Sequence, residues 1–162
     1  MAKIPKSIDS VVITDDIFIK TIDQLKKIGE EHKEGIAYWS GILDSNKAMI
    51  QNVIFANEYP EFYNEQYFAN VSLGTSFKIG EKIHERDEIL FAQVHTHPAE
   101  AFHSFVDNNH PISHRVGFLS VVIPYFGKGV TSLSQCKVYE YEGKANWNEM
   151  KKDEIEKKFE VK

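Results

Sequence analysis

The chain of 162 residues holds a single cysteine, Cys136, so no disulfide framework can form within it, and that usage suits a reducing compartment. Long apolar stretches are missing too: none approaches the ~20 residues needed to cross a bilayer. The opening MAKIPKSIDSVVITDD has neither an apolar core nor a cleavage-site pattern, which argues against a signal peptide. Basic residues are not in excess. Lys and Arg number 19 against 24 Asp and Glu, a formal charge of −5, which argues against a nucleic-acid or membrane-surface partner. Internal repeats, low-complexity tracts and interdomain linkers are absent as well. The expectation is a soluble cytoplasmic protein whose residues 1–162 form one domain, long enough to bury its own core. Cys136, in the run SLSQCKVYEY, reads as a buried strand cysteine rather than a thiol nucleophile.

What is present alternates between two periodicities. SVVIT (Ser10 to Thr14) reads as a first strand. The following DDIFIKTIDQLKKIGEEH sets Ile19, Ile22, Leu25 and Ile28 at helical spacing, with Asp15 and Asp16 as the expected N-cap and an end between Gly29 and His32. GIAYWSGILD and KAMIQNVIFANEY form a hairpin through Asp44 to Lys47. PEFYNEQYFANVSLG reads as an aromatic loop, and TSFKIGEKIHERDE as a second helix, favoured over a strand because Ile79 and Ile83 lie one turn apart. ILFAQVHTH, VGFLSVVIPYF and CKVYEYEG are strands, and NEMKKDEIEKKFEVK closes the chain as a charged amphipathic helix. The order predicts an α+β fold: an α/β/α sandwich around a mixed sheet.

The densest set of potential ligands is HTHPAEAFHSFVD, His95 to Asp107. In a strand, residues two apart face the same way, so His95 and His97 share a face and Thr96 turns from it. Pro98 ends the strand, and the loop beyond can fold back to bring Asp107 to the same point. Two histidines and a carboxylate make a three-ligand set that leaves the fourth position of a zinc ion open, the arrangement of catalytic sites. A solvated polar loop at a strand end is the competing reading of the same residues. The second carboxylate that a zinc hydrolase needs as general base stands far upstream: Glu34, at the start of EGIAYWSG, on a strand that can pair beside the histidine strand. Taken by itself, Glu34 also reads as a solvated end to the charged run GEEHKE.

Together these residues resemble the JAMM (JAB or MPN-plus) zinc isopeptidases. That family's motif is a glutamate on an early strand, then His-Ser/Thr-His-Pro, then Ser-x-x-Asp; here Glu34, HTHP at His95 to Pro98, and SFVD at Ser104 to Asp107 correspond. EGIAYWSG resembles the family's glutamate strand, which closes on a glycine, here Gly41, and VGFLSVVIPYFG is similar to the strand after the motif in bacterial members. The resemblance implies a JAB/MPN-like (cytidine-deaminase-like) fold with a largely antiparallel sheet. It implies His95, His97 and Asp107 as Zn2+ ligands, Glu34 as general acid/base, and Ser104 as donor to the developing oxyanion. It further implies cleavage after the C-terminus of a ubiquitin-like protein. The partners would be that protein and its conjugates, with conjugation-pathway enzymes nearby, in a bacterial conjugation or antiviral defence pathway. A zinc hydrolase of a small-molecule or short-peptide amide, and a non-catalytic scaffold of the same fold, are the alternatives. His103 and His110 are competing ligands without the strand geometry of His95 and His97. The aromatic cluster Tyr59, Phe62, Tyr63, Tyr67 and Phe68 reads either as a self-packed loop or as a recognition surface taking an extended tail as an added strand.

Overall fold

Apolar residues at period two build the strands, and the 3.6 period builds the helices that cover them. The computed structural model describes residues 8–59, 63–64, 69–102 and 112–162. It begins with β1 (Ser10–Ile13) and α1 (Asp15–Glu30), followed by the hairpin of β2 (Ile36–Asp44) and β3 (Lys47–Phe55). A short ribbon of β4 (Tyr63–Asn64) and β5 (Ala69–Asn70) precedes α2 (Leu73–Glu85) and β6 (Ile89–Thr96). Then come β7 (Leu119–Ile123), β8 (Lys137–Gly143), β9 (Asn146–Glu149), α3 (Lys152–Lys158) and β10 (Phe159–Val161).

The main sheet has the order β10-β1-β3-β2-β6-β7-β8-β9. Among the described residues four of its seven ladders are antiparallel: β2 with β3, β2 with β6, β7 with β8 and β8 with β9. The parallel ladders are β1 with β10, β1 with β3, and β6 with β7. Alternation then sorts the central strands. Ala37, Trp39, Ala92, Val94, Leu119 and Val121 join the core under α1 and α3, while Ile36, Tyr38 and Ile54 pack with Ile79 and Ile83 of α2. The result is the expected α+β sandwich, with helices on both faces of a mixed sheet.

Local chemistry sets the boundaries. Thr14, rather than Asp15 or Asp16, caps α1, its hydroxyl accepting from the Ile17 N–H, and the two aspartates sit in the first turn where the helix dipole favours them. The inner stripe of α1 is Phe18, Thr21, Ile22, Leu25 and Gly29. Ile19 belongs to the outer face and is 53% exposed. Thr21 supplies a polar link inside this stripe: the Trp39 Nε1–H donates to its hydroxyl (3.0 Å), which donates in turn to the Ile17 carbonyl (2.7 Å). The hairpin turn falls at Ser45–Asn46, with Ser45 in the left-handed region (φ 53°). Gly41 lies at a bulge where a Cβ would strike the Met49 carbonyl, so no side chain fits there.

One expectation is corrected. Residues 148–162 do not form a single helix: Asn146–Glu149 is an edge strand beside β8, α3 covers only Lys152–Lys158, and Phe159–Val161 is a strand parallel to β1. The dense charge masks three apolar anchors, Met150, Ile155 and Phe159, each buried in the core under α1. Among the described residues no helix is long and apolar enough to cross a membrane.

Candidate metal and hydrolase site

The site lies where β2 begins and β6 ends. Register pairs Ile36 with His95, and the Thr96 N–H donates to the Gly35 carbonyl (3.1 Å), so Gly35 faces Thr96. Continued one step past the last ladder bond, that register would set Glu34 opposite His97. Residues directly opposite in an antiparallel pair share a face. Glu34, His95 and His97 therefore belong to the face of Ile36 and Tyr38, the side covered by α2.

Gly35 and Thr96 serve the opposite face. The Thr96 hydroxyl accepts from the Gly35 N–H (3.0 Å), satisfying a buried donor at the point where the ladder ends. A Cβ on Gly35 would lie 2.8 Å from Leu25 Cδ2 and 3.1 Å from Ile28 Cδ1, so α1 presses directly on the strand entry. That contact holds the backbone next to Glu34.

All three residues are shielded from solvent: Glu34 is 7% exposed, His95 3% and His97 4%. The two imidazole centroids are 5.1 Å apart with ring planes at 47°. A ring nitrogen about 2.0–2.1 Å from zinc puts its centroid about 3.2 Å away, and two such rings at a tetrahedral angle have centroids about 5.2 Å apart. The spacing of His95 and His97 thus fits two nitrogen ligands on one tetrahedral ion. Among the described residues no group of three His, Cys, Asp or Glu side chains forms a metal cluster. The expected third ligand Asp107, the expected donor Ser104, and the competing His103 and His110 lie outside the described residues, as do Phe62, Tyr67, Phe68 and the Tyr63 side chain.

His97 stands one residue past the last strand position and is held from outside β6. Its N–H donates to the Ile123 carbonyl (2.9 Å), and its carbonyl accepts from the Phe126 N–H (2.8 Å). Two residues on, the Ala99 carbonyl accepts from the Tyr125 N–H (2.9 Å). Both donors sit in a turn whose backbone is left-handed at two consecutive non-glycine residues, Tyr125 (φ 53°) and Phe126 (φ 54°). Each such residue costs on the order of 1–2 kcal/mol. The Phe102 ring stands edge-on to His97 with centroids 4.7 Å apart, and it remains 55% exposed at the mouth of the site.

Sequence reasoning missed Thr96 as a support, as well as the turn at Tyr125–Phe126. The alternation signal put Thr96 on the far face but could not name its partner, 61 positions away. Other groups keep ordinary structural roles. Burial pushes the Tyr38 phenol well above its usual range, and the Cys136 thiol up to about 12. Cys136 is buried at the entry to β8. Tyr59, the described member of the aromatic cluster, packs beside the α2 core; its phenol is raised by partial burial and then by Glu58, with Arg86 opposing. A cavity of about 330 Å³, lined by Lys27, Ile28, Glu31, Lys33 and Asn57, opens where α1 ends and β2 begins.

With this geometry in hand, the chain can be set beside known proteins. No protein-family profile matches it. It is 24% identical over 145 residues to the probable metalloprotease y4jG of Sinorhizobium fredii, an alignment spanning 90% of each chain. Its fold is shared with the solution structure of protein DSY2949 from Desulfitobacterium hafniense, with a TM-score of 0.67 at 12% identity, covering 94% of this chain and 92% of that one. A looser overlay, TM-score 0.49 at 19% identity over 94% and 97% of the two chains, relates it to AF2198, a JAB1/MPN domain protein from Archaeoglobus fulgidus. An overlay that loose decides nothing by itself.

Proposed function

We propose that this protein is a zinc-dependent peptidase of the JAMM type, acting in the cytoplasm on the isopeptide or peptide bond that follows the C-terminus of a ubiquitin-like protein. The observation that carries the reading is one buried carboxylate, Glu34, one residue before the Gly35–Thr96 bond, beside the buried imidazoles of His95 and His97 at the end of β6. A relative named a probable metalloprotease, aligned along nine-tenths of both chains, supports the metallopeptidase class. The order Glu34, HTHP, SFVD supports the finer assignment.

His95 and His97, with Asp107, would hold the ion. When bound, zinc lowers the pKa of a water to about 7 and polarises the scissile carbonyl. Glu34 takes the proton of the attacking water on a carboxylate oxygen and later delivers it to the nitrogen of the leaving amine. Its burial suits that task, because the carboxylate then works in a site from which bulk water is excluded. The Ser104 hydroxyl donates to the carbonyl oxygen as negative charge develops there. The partners on this reading are a ubiquitin-like protein and its conjugates within a bacterial conjugation or antiviral defence pathway.

The test is Glu34→Gln in the purified protein, with metal content and cleavage measured side by side. Zinc is expected to remain and cleavage to disappear, since the amide cannot accept the proton. Cleavage at near wild-type rate would overturn the role of Glu34. A fluorogenic ubiquitin-like C-terminal fusion is expected to be cut in preference to short peptides; equal rates would move the substrate to general peptides.

A further inference from the structure

The turn after β7 closes against α1 in an unusual way. Phe126 is buried, and a Cβ on Gly29 would collide with both its Cβ and its Cγ. His32, which follows α1 in the left-handed region (φ 57°), meets the same ring edge-on with centroids 6.4 Å apart. The ring is therefore clamped by the C-terminal end of α1, and its own N–H grips the His97 carbonyl. The left-handed backbone at Tyr125 and Phe126 aims both N–H groups at the 97–99 segment. A relaxed turn would not need two strained non-glycine residues in succession.

We propose that Phe126, seated on Gly29, is a positioning residue that sets where the His97 imidazole stands, so that metal affinity depends on the room that residue 29 leaves. This rests on His97 being a metal ligand, as the proposed function has it. The chain of contact is short: α1 surface, Phe126 ring, Phe126 N–H, His97 carbonyl. His97 lies one residue past β6: its N–H makes the last bond of the β6–β7 ladder, to Ile123, and the Phe126 N–H is what holds its carbonyl.

The test uses the metal-free full chain, zinc calorimetry and the visible spectrum of bound cobalt(II). Gly29→Ala is expected to weaken zinc binding by about tenfold and to alter the cobalt spectrum, in line with other supports of ligating histidines. Alanine has the higher helix propensity, so the loss cannot come from α1 itself. A folded Gly29→Ala protein that binds like wild type overturns the proposal. Ile155→Ala, in the α3 core, serves as the control for general destabilisation and is expected to lower the melting temperature while leaving zinc affinity unchanged. Once the ring is removed by Phe126→Gly, adding Gly29→Ala should cost no further affinity; additive losses would overturn the coupling. Should Gly29→Ala fail to fold, Phe126→Ala carries the comparison, and unchanged affinity there is equally fatal. A wild-type chain that binds no zinc overturns the proposed function, and this inference with it.

Discussion

His95, Thr96 and His97 put side chains on both faces of one strand, and both faces are used. The imidazoles face the α2 side, while the Thr96 hydroxyl accepts from the Gly35 N–H at the entry to β2. Thr96→Val keeps the shape and removes that acceptor, stranding a buried donor at a cost of about 1–3 kcal/mol. Urea unfolding measures it, and an unchanged midpoint would show that the hydroxyl is dispensable. His97→Ala is expected to lose both zinc and activity; full zinc occupancy in that variant would remove His97 from the ligand set. At this scale the facing imidazoles were legible in the sequence because period two is local. The Gly35–Thr96 bond was not, because it joins residues 61 positions apart.

Elements with one clean period could be read directly: α1, β2 and β6 stand within a residue or two of their expected spans, while β3 stops at Phe55, four residues before the expected end, where Ala56–Glu58 turns into a short 3-10 helix. The C-terminal stretch failed because its apolar residues are few and their spacing changes. Ile155 belongs to a helix, whereas Phe159 begins a strand parallel to β1 whose burial pattern then turns outward. Charged residues filling the gaps gave the whole segment one helical appearance. β10 covers an edge of β1, so deletion of residues 159–162 is predicted to remove the burial of Phe159, worth about 2 kcal/mol. It also bares a strand edge of Val11, Val12 and Ile13. Such an apolar edge invites pairing between chains. A lower melting temperature accompanied by light scattering is the expected result; an unaltered, monodisperse protein would mean that β10 contributes nothing.

Across the whole molecule, Cys136 is a built-in reporter. It is buried in the main core and its thiol is pushed up to about 12, against about 8.5 for an exposed cysteine. The folded state holds this proton more tightly than the unfolded state. The associated stability is therefore fully present below the unfolded value and declines as pH rises from there toward 12. A thiol reagent near pH 8 is expected to label native protein only at the rate of global unfolding, accelerating with denaturant. Rapid labelling without denaturant would show that the α3 side of the core opens locally.

The separation of Glu34 from His97 along the chain also sets an order of events in synthesis. Glu34 leaves the ribosome early, but His97 follows more than 60 residues later, and the bonds that hold it come from Ile123 and Phe126. A half-made chain therefore holds Glu34 without the histidines, then the histidines without their brace. The three side chains can come together only after the central sheet has closed.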